Sequence, residues 1–230
     1  MIQLYSLATP NGHKVSVALE ELGLSYTPHT VNILKGEQFT PQFVEMNPNS
    51  KIPVIIDEDG PNSEPITMVE SGAILLYLAE KTGRLISTDP VLRLETIQWV
   101  FFQMANIGPM FGQFGHFFKY ASDKCPHPYP LERYATETKR LLQLLESHLQ
   151  DRTWLVGEAY SIADIAMYPW ARCFYWAKVS VEGLIHLQSW FDRIDQRPLT
   201  QKALTIPEPF PAFFGHGDIA KMEKQNAERF

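Results

Sequence analysis

The sequence predicts a mixed α/β domain followed by an all-α domain. Three observations carry that prediction. Short strand patterns alternate with helical ones through residues 1–84. Strand signals fade beyond Asp89-Pro90. From there to about Arg197-Pro198 the apolar residues recur at helical spacing.

Ile2 to Ser6 alternates as a strand. Val15, Ala18, Leu19 and Leu22 then mark one helical face, and Gly23 supplies the residue that tolerates a left-handed C-terminal stop. Tyr26 to Ile33 predicts a second strand. Pro53 to Asp57 and Ile66 to Val69 predict two more, divided by the turn residues Asp59-Gly60-Pro61-Asn62. Ser71 is placed to cap a helix through Ala73, Ile74, Leu75, Tyr77 and Leu78 that ends at Lys81-Thr82-Gly83. The order β-α-β then β-β-α predicts a four-stranded sheet faced by helices, a thioredoxin-like arrangement. Residues 85–91 read as a linker, 92–205 as the helical domain and 206–230 as a tail. Leu92 to Met104 is helical and interrupted at Gly108-Pro109, and a Pro- and Gly-rich loop is expected over roughly 108 to 130. Leu131 to Leu149 is amphipathic, with Tyr134, Thr138, Leu141, Leu142, Leu145 and Leu149 near one face. Ser161 to Asp164 is an S-x-x-D capping box with Tyr160 and Ile165 as its staple, and Leu184 to Arg197 forms a further helix.

The composition excludes several classes. A length of 230 residues, 45% of them hydrophobic, suits one large or two small domains with a true core. The net charge of −6 gives no attraction to nucleic acid or to an anionic membrane. Cys125 and Cys173 form no C-x-x-C pair, so neither a dithiol redox centre nor a thiolate zinc site is expected, and no metal is. The start lacks a basic segment followed by a long apolar run, and no stretch approaches the ~20 apolar residues of a membrane span. A soluble protein of the cytoplasm is the expectation.

Four constellations bear on chemistry. Thr9-Pro10-Asn11-Gly12 joins the first strand to the first helix, where unpaired N–H groups and the helix dipole favour an anion. A thiolate there would have a lowered pKa. The turn has no cysteine, so such a thiol would belong to a ligand; alternatively Asn11 is a plain N-cap and Pro10 a turn former. At Lys51-Ile52-Pro53 a cis peptide would offer the Ile52 backbone to an extended peptide, whereas a trans one is an ordinary strand edge. Glu70-Ser71-Gly72 can accept from an ammonium and donate to a carboxylate, which suits an amino-acid head group, or it is an N-cap preceded by an exposed acid. The Ser161 box reads as structural. His13 reads as a surface residue, and Trp99, Phe101, Phe102, Trp170, Phe174 and Trp176 as packing. Phe114 to Tyr120, with His116, lines a pocket or joins the core.

Together these motifs resemble the cytosolic glutathione transferases, over nearly the whole chain. Within them the chain is most similar to the nu class of bacterial disulfide-bond oxidoreductases, through residues 9–14, 35–39, 49–53 and 70–78, and in the second domain through Gln98-Trp99, Gly108-Pro109-Met110 and Glu132-Arg133-Tyr134. The resemblance implies a homodimer and a glutathione-dependent disulfide reductase that holds two glutathiones, or one glutathione disulfide, per site as co-substrate, with no metal. It implies Thr9 and Asn11 facing the sulfur. Ile52, before a cis Pro53, pairs with the cysteinyl backbone; Glu70 and Ser71 hold the γ-glutamyl head, and Gln38 and Lys51 reach the glycyl side. Gln98 and Arg133 serve a second glutathione or the neighbouring subunit's site. Tyr5 ranks below Thr9 and Asn11 as a thiol activator because it lies inside the first strand. The alternatives are a conjugating transferase, a glutathione-dependent peroxidase acting on small electrophiles or organic hydroperoxides, and a non-catalytic binding protein.

Overall fold

The molecule is described by a computed structural model that covers residues 1–122, 124–177 and 179–209; residues 210–230 of the expected tail, and the side chains of Tyr120 and Trp176, lie outside the described ones. The strands are β1 (Ile2–Ser6), β2 (Tyr26–Thr30), β3 (Val54–Asp57) and β4 (Ile66–Val69). They lie in the order β2-β1-β3-β4, with β1 parallel to β2 and antiparallel to β3, and β3 antiparallel to β4. A parallel neighbour needs a crossover, which helix α1 (Pro10–Leu22) provides. Leu4 and Ile55 face each other across β1 and β3 and are completely buried. Helices α2 (Pro41–Met46) and α3 (Ser71–Thr82) complete this half, the thioredoxin-like arrangement that the element order predicts.

The second strand is shorter than its apolar pattern. Asn32 turns its Oδ1 to the N–H groups of Leu34 and Lys35, at 3.0 and 3.2 Å, and starts a 3-10 turn over Ile33–Lys35. A side-chain acceptor there competes with the strand ladder.

From Pro90 onward the described elements are helical: α4 (Pro90–Phe102), α5 (Gly108–Gly115), α6 (Tyr129–Leu149), α7 (Ile162–Ala171), α8 (Ile185–Asp195) and α9 (Pro198–Ala203). The loop expected from residue 108 is instead helix as far as Tyr120. A wide π turn over Gln103–Ile107 sends the Gly108 N–H to Gln103 O. That places Pro109 at the start of α5, where a missing N–H breaks no helical bond. A second π turn, His116–Tyr120, extends the same rod. His116 itself is exposed, whereas Phe114 joins the core. Pro198 ends α8 as expected and also opens α9 as its first residue. Phe101, expected in packing, is 63% exposed on α4.

Helix α1 is buried on both sides. Val15, Ala18 and Leu19 share a core with Leu4 and Ile55. Its other face meets α7 and α9. Ser16 Oγ donates to Ala203 O at 3.0 Å, and Glu21 takes a two-pronged ion pair from Arg197 at 2.8 and 2.6 Å. His13, expected at the surface, is buried for the same reason, with Nε2 3.1 Å from Leu204 O. Burial, then the nearby Arg172 charge, lowers its pKa to about 3, so it is neutral.

The capping box at α7 forms as the S-x-x-D pattern predicts. Asp164 is fully buried and accepts from the N–H groups of Leu155 and Ser161, both at 3.0 Å, and from Trp190 Nε1 at 2.9 Å. It therefore ties the loop before α7, the helix start and α8 together. Asp164→Ala leaves these donors unpaired in the core and should cost on the order of 3 kcal/mol in urea unfolding, against about 1 kcal/mol for Ser161→Ala. Equal small losses in both variants would contradict this reading.

Candidate active site

The turn after β1 is shaped by close approach. Thr9, in extended conformation, is the N-cap of α1: its Oγ1 accepts from Gly12 N–H at 3.3 Å. Asn11 is therefore not the cap, and its side chain is available for other bonds. Pro10, first in the helix, has no N–H to leave unpaired. A Cβ on Gly12 would lie 2.0 Å from Leu7 O and 2.5 Å from Ser6 Oγ. Only glycine lets the helix start pass so near the end of β1.

A cleft of about 220 Å³ opens at this helix start. Thr9, Pro10 and Asn11 form one wall; Ile33 and Gln38 come from two successive 3-10 turns (Ile33–Lys35 and Glu37–Phe39), Ser50, Lys51 and Ile52 from the turn before β3, and Trp170 from α7. The Ile52-Pro53 peptide is cis, and Pro53 is buried behind Ile52. The structure thus brings Thr9, Asn11, Gln38, Lys51 and Ile52 to one place. Gln38 Nε2 donates to Ile33 O at 3.2 Å, while its buried Oε1 has no partner.

The start of α3 lies next to this wall. Glu70 is its N-cap, with φ 67 and no side-chain capping bond. A non-glycine residue at that φ is strained by about 1–3 kcal/mol. Ser71 is therefore the first helical residue and not the cap, and it is buried. First-turn N–H groups without a side-chain cap form a seat for an anion, and the Glu70 carboxylate beside them is exposed.

Between the two helix starts sits Lys14, which is 1% exposed. Its Nζ lies 3.0 Å from Asn11 Oδ1, 2.5 Å from Gln103 Oε1 and 3.4 Å from Ser71 Oγ. Burial lowers its pKa to about 7, opposed by the charge of Glu70. Trp170 Nε1 also donates to Asn11 Oδ1, at 2.7 Å. Sequence reasoning missed Lys14, Gln103 and Trp170 as site residues. Trp170 and Gln103 stand 159 and 89 positions from the residues they bond, so no local pattern signals them.

Gln98 and Arg133 do not line the cleft. Gln98 is exposed on α4, at a separate groove with Glu95, Trp99, Phe102 and Leu144. Arg133 is exposed near the start of α6, where its charge acts on Glu137. Tyr5 is also outside the cleft and stacks on His29 at 4.6 Å. Neither cysteine lines it. Cys173 is buried, its Sγ 3.2 Å from Pro169 O, and burial pushes its thiol pKa up to about 12.

Residues 8–81 match the family model of the glutathione S-transferase N-terminal domain and residues 109–198 that of the C-terminal domain. The disulfide-bond oxidoreductase YfcG of Escherichia coli is 45% identical over 205 residues, spanning 89% of this chain and 94% of that protein. The chain belongs to the glutathione S-transferase family. Among solved structures of the family, a glutathione transferase from Burkholderia graminis with two glutathione molecules bound per subunit is 48% identical, with a TM-score of 0.88 over 91% of this chain and 89% of that one. Another, from Pseudomonas putida with one glutathione disulfide bound per subunit, is 46% identical, with a TM-score of 0.86 over 90% of this chain and 91% of that one. Among the described residues no helix is long and apolar enough to cross a membrane, and no cluster of three or more His, Cys, Asp or Glu forms a metal site.

Gly12→Ala should destabilise the chain by more than about 2 kcal/mol, because the nearest atom in its way, Leu7 O, is backbone just past the end of β1 and cannot rotate aside as the Ser6 hydroxyl can. A melting temperature equal to that of the parent would show that the turn yields.

Proposed function

We propose that this protein is a glutathione-dependent disulfide-bond reductase of the nu class, which uses the thiols of bound glutathione in place of protein cysteines. The observation that carries this reading is a cleft that gathers Thr9, Asn11 and the start of α1 but has neither cysteine on its walls. The relatives that hold two glutathiones or one glutathione disulfide per subunit support it.

In this reading Thr9 and Asn11 face the sulfur. The Ile52 backbone pairs with the cysteinyl residue, and Pro53 sets that edge. The γ-glutamyl carboxylate sits on the first turn of α3 at Ser71, with its ammonium at Glu70. Gln38 and Lys51 take the glycyl side. One glutathione thiolate attacks a substrate disulfide, forms a mixed disulfide and expels one substrate thiolate, which takes up a proton. The thiolate of a second glutathione attacks the glutathione sulfur of that mixed disulfide. It releases the other substrate thiol and leaves glutathione disulfide. Two electrons pass from two glutathiones to the substrate. The protein contributes orientation and donors to the thiolate.

The homodimer is part of the proposal. Val91, Leu94 and Phe101 are 70%, 66% and 63% exposed at helical spacing along one side of α4, with Gln98 on the same stripe. Pairing two such stripes covers apolar surface and sets Gln98 against the partner; Arg133 is assigned to the second glutathione or to that neighbouring site. A reducing compartment, the cytoplasm, fits a reductase that draws on free glutathione.

A Cys125→Ser/Cys173→Ser double variant should reduce 2-hydroxyethyl disulfide with glutathione within about twofold of the parent. Loss of turnover in a folded double variant would sink the ligand-thiol mechanism. Faster turnover of 1-chloro-2,4-dinitrobenzene or organic hydroperoxides than of disulfides would put conjugation or peroxidase chemistry first. Leu94→Glu/Phe101→Glu should convert a dimer to a monomer in sedimentation; an unchanged mass would place the interface elsewhere.

A further inference from the structure

A single ammonium ties together groups from distant parts of the chain at the back of the cleft. Lys14 Nζ meets Asn11 Oδ1, Ser71 Oγ and Gln103 Oε1, and Trp170 Nε1 meets the same Asn11 oxygen. An ammonium and an indole N–H can only donate. The amide atom they share must therefore be the oxygen. The Asn11 carboxamide is thus fixed in one of its two flips, which leaves its NH₂ as the opposite end of a side chain that lines the cleft. Without those two donors the amide could present either end, and an oxygen toward a thiolate would repel it.

We propose that Lys14 and Trp170 are positioning residues: they hold the Asn11 carboxamide with its NH₂ toward the sulfur of a bound glutathione, and the Lys14 ammonium adds positive charge behind that sulfur, favouring the thiolate. This rests on the reading that the cleft binds glutathione. The charged group acting on Lys14 is Glu70, at the start of α3. The π turn brings the uncharged Gln103 and Met104, α7 brings Trp170, and the adjacent His13 on α1 is neutral. The sign follows. Burial puts the Lys14 pKa at about 7, so the empty site holds the cation below that pH and loses it above. A bound thiolate favours the protonated amine and carries its charge to higher pH. Removing the ammonium therefore makes the bound thiol harder to ionise, and the acid limb of kcat/KM moves up in pH.

The test compares the full-length parent with Lys14→Met and Trp170→Phe. It uses calorimetry with glutathione, the ultraviolet absorbance of the bound thiolate against pH, and kcat/KM for 2-hydroxyethyl disulfide against pH. Lys14→Met should still bind glutathione within about tenfold. Its bound thiol pKa and its acid limb should rise by about one unit or more. Trp170→Phe keeps the cation and loses one of the two donors, so kcat should fall about tenfold with the acid limb in place. Should Lys14→Met fail to fold, Lys14→Gln reads the same two quantities and Trp170→Phe tests the amide by itself. A thiol pKa and acid limb unchanged without Lys14, or a parent-like kcat in Trp170→Phe, would overturn the proposal. A parent that does not bind glutathione would overturn the reading of the cleft itself; a parent that binds beside indifferent variants overturns only the positioning role.

Discussion

Helix α1 is enclosed on both sides, and most of the molecule is arranged around that fact. One side shares the core of the sheet through Val15, Ala18 and Leu19, and the other is covered by α7 and α9. A helix in that position cannot follow the usual rule of one wet face. Its polar residues must find partners inside the protein: Ser16 on Ala203, His13 on Leu204, Glu21 on Arg197 and Lys14 on Asn11, Gln103 and Ser71. All but the bonds from Lys14 to Asn11 and Ser71 cross between the two halves of the chain. They fix the helical half against the sheet half and fix where the start of α1 points.

Gly12 sets the other coordinate. Because it lies within a Cβ's reach of Leu7 O and Ser6 Oγ, the helix begins directly against the end of β1. The cleft is then bounded by four segments that meet only through the fold: the start of α1, the 3-10 turns, the turn before β3, and α7. Burying the Lys14 ammonium behind the start of α1 is costly. Three oxygen acceptors offset part of that cost, and the low pKa of Lys14 records the remainder. A charge kept in so dry a place acts more strongly on a neighbouring ligand than a surface lysine would.

What the sequence made legible follows the range of the interactions. The strands, the Gly23 and Gly83 stops and the Ser161 box are set by residues a few positions apart, and each is present. The two π turns were not legible. Gly and Pro at 108 and 109 ordinarily break a helix, and only the shifted bond from Gly108 to Gln103 explains why they do not. His13 was misjudged, and the second role of Trp170, which packs on the core as expected but also bonds Asn11, was missed for a related reason. The pattern of α1 shows one apolar face and gives no sign that α7 and α9 cover the other. The cleft itself was half legible. Thr9, Asn11 and Ile52 stand in recognisable turns, whereas the lysine behind them is one polar residue in a helix until the fold brings Ser71 and Gln103 to it.

The absence of a cysteine from these walls has a physical counterpart. A protein thiol at the start of α1 would gain from the helix dipole, but a dipole of this kind contributes only about 0.3–1 kcal/mol near water. One such thiol, moreover, could attack a disulfide but could not resolve the product. The one cysteine buried in the helical half is unsuited to either step, since burial raises its pKa and holds it as a thiol. A site that binds the thiols as ligands avoids both difficulties. On the proposed reading each thiol would arrive with a peptide that the Ile52 edge and the start of α3 could orient, and a second could lie beside the first. On that reading, a charge that would help ionise the thiol belongs on a side chain that touches Asn11 and not the reacting sulfur. Lys14 is placed in that way, one amide behind the cleft.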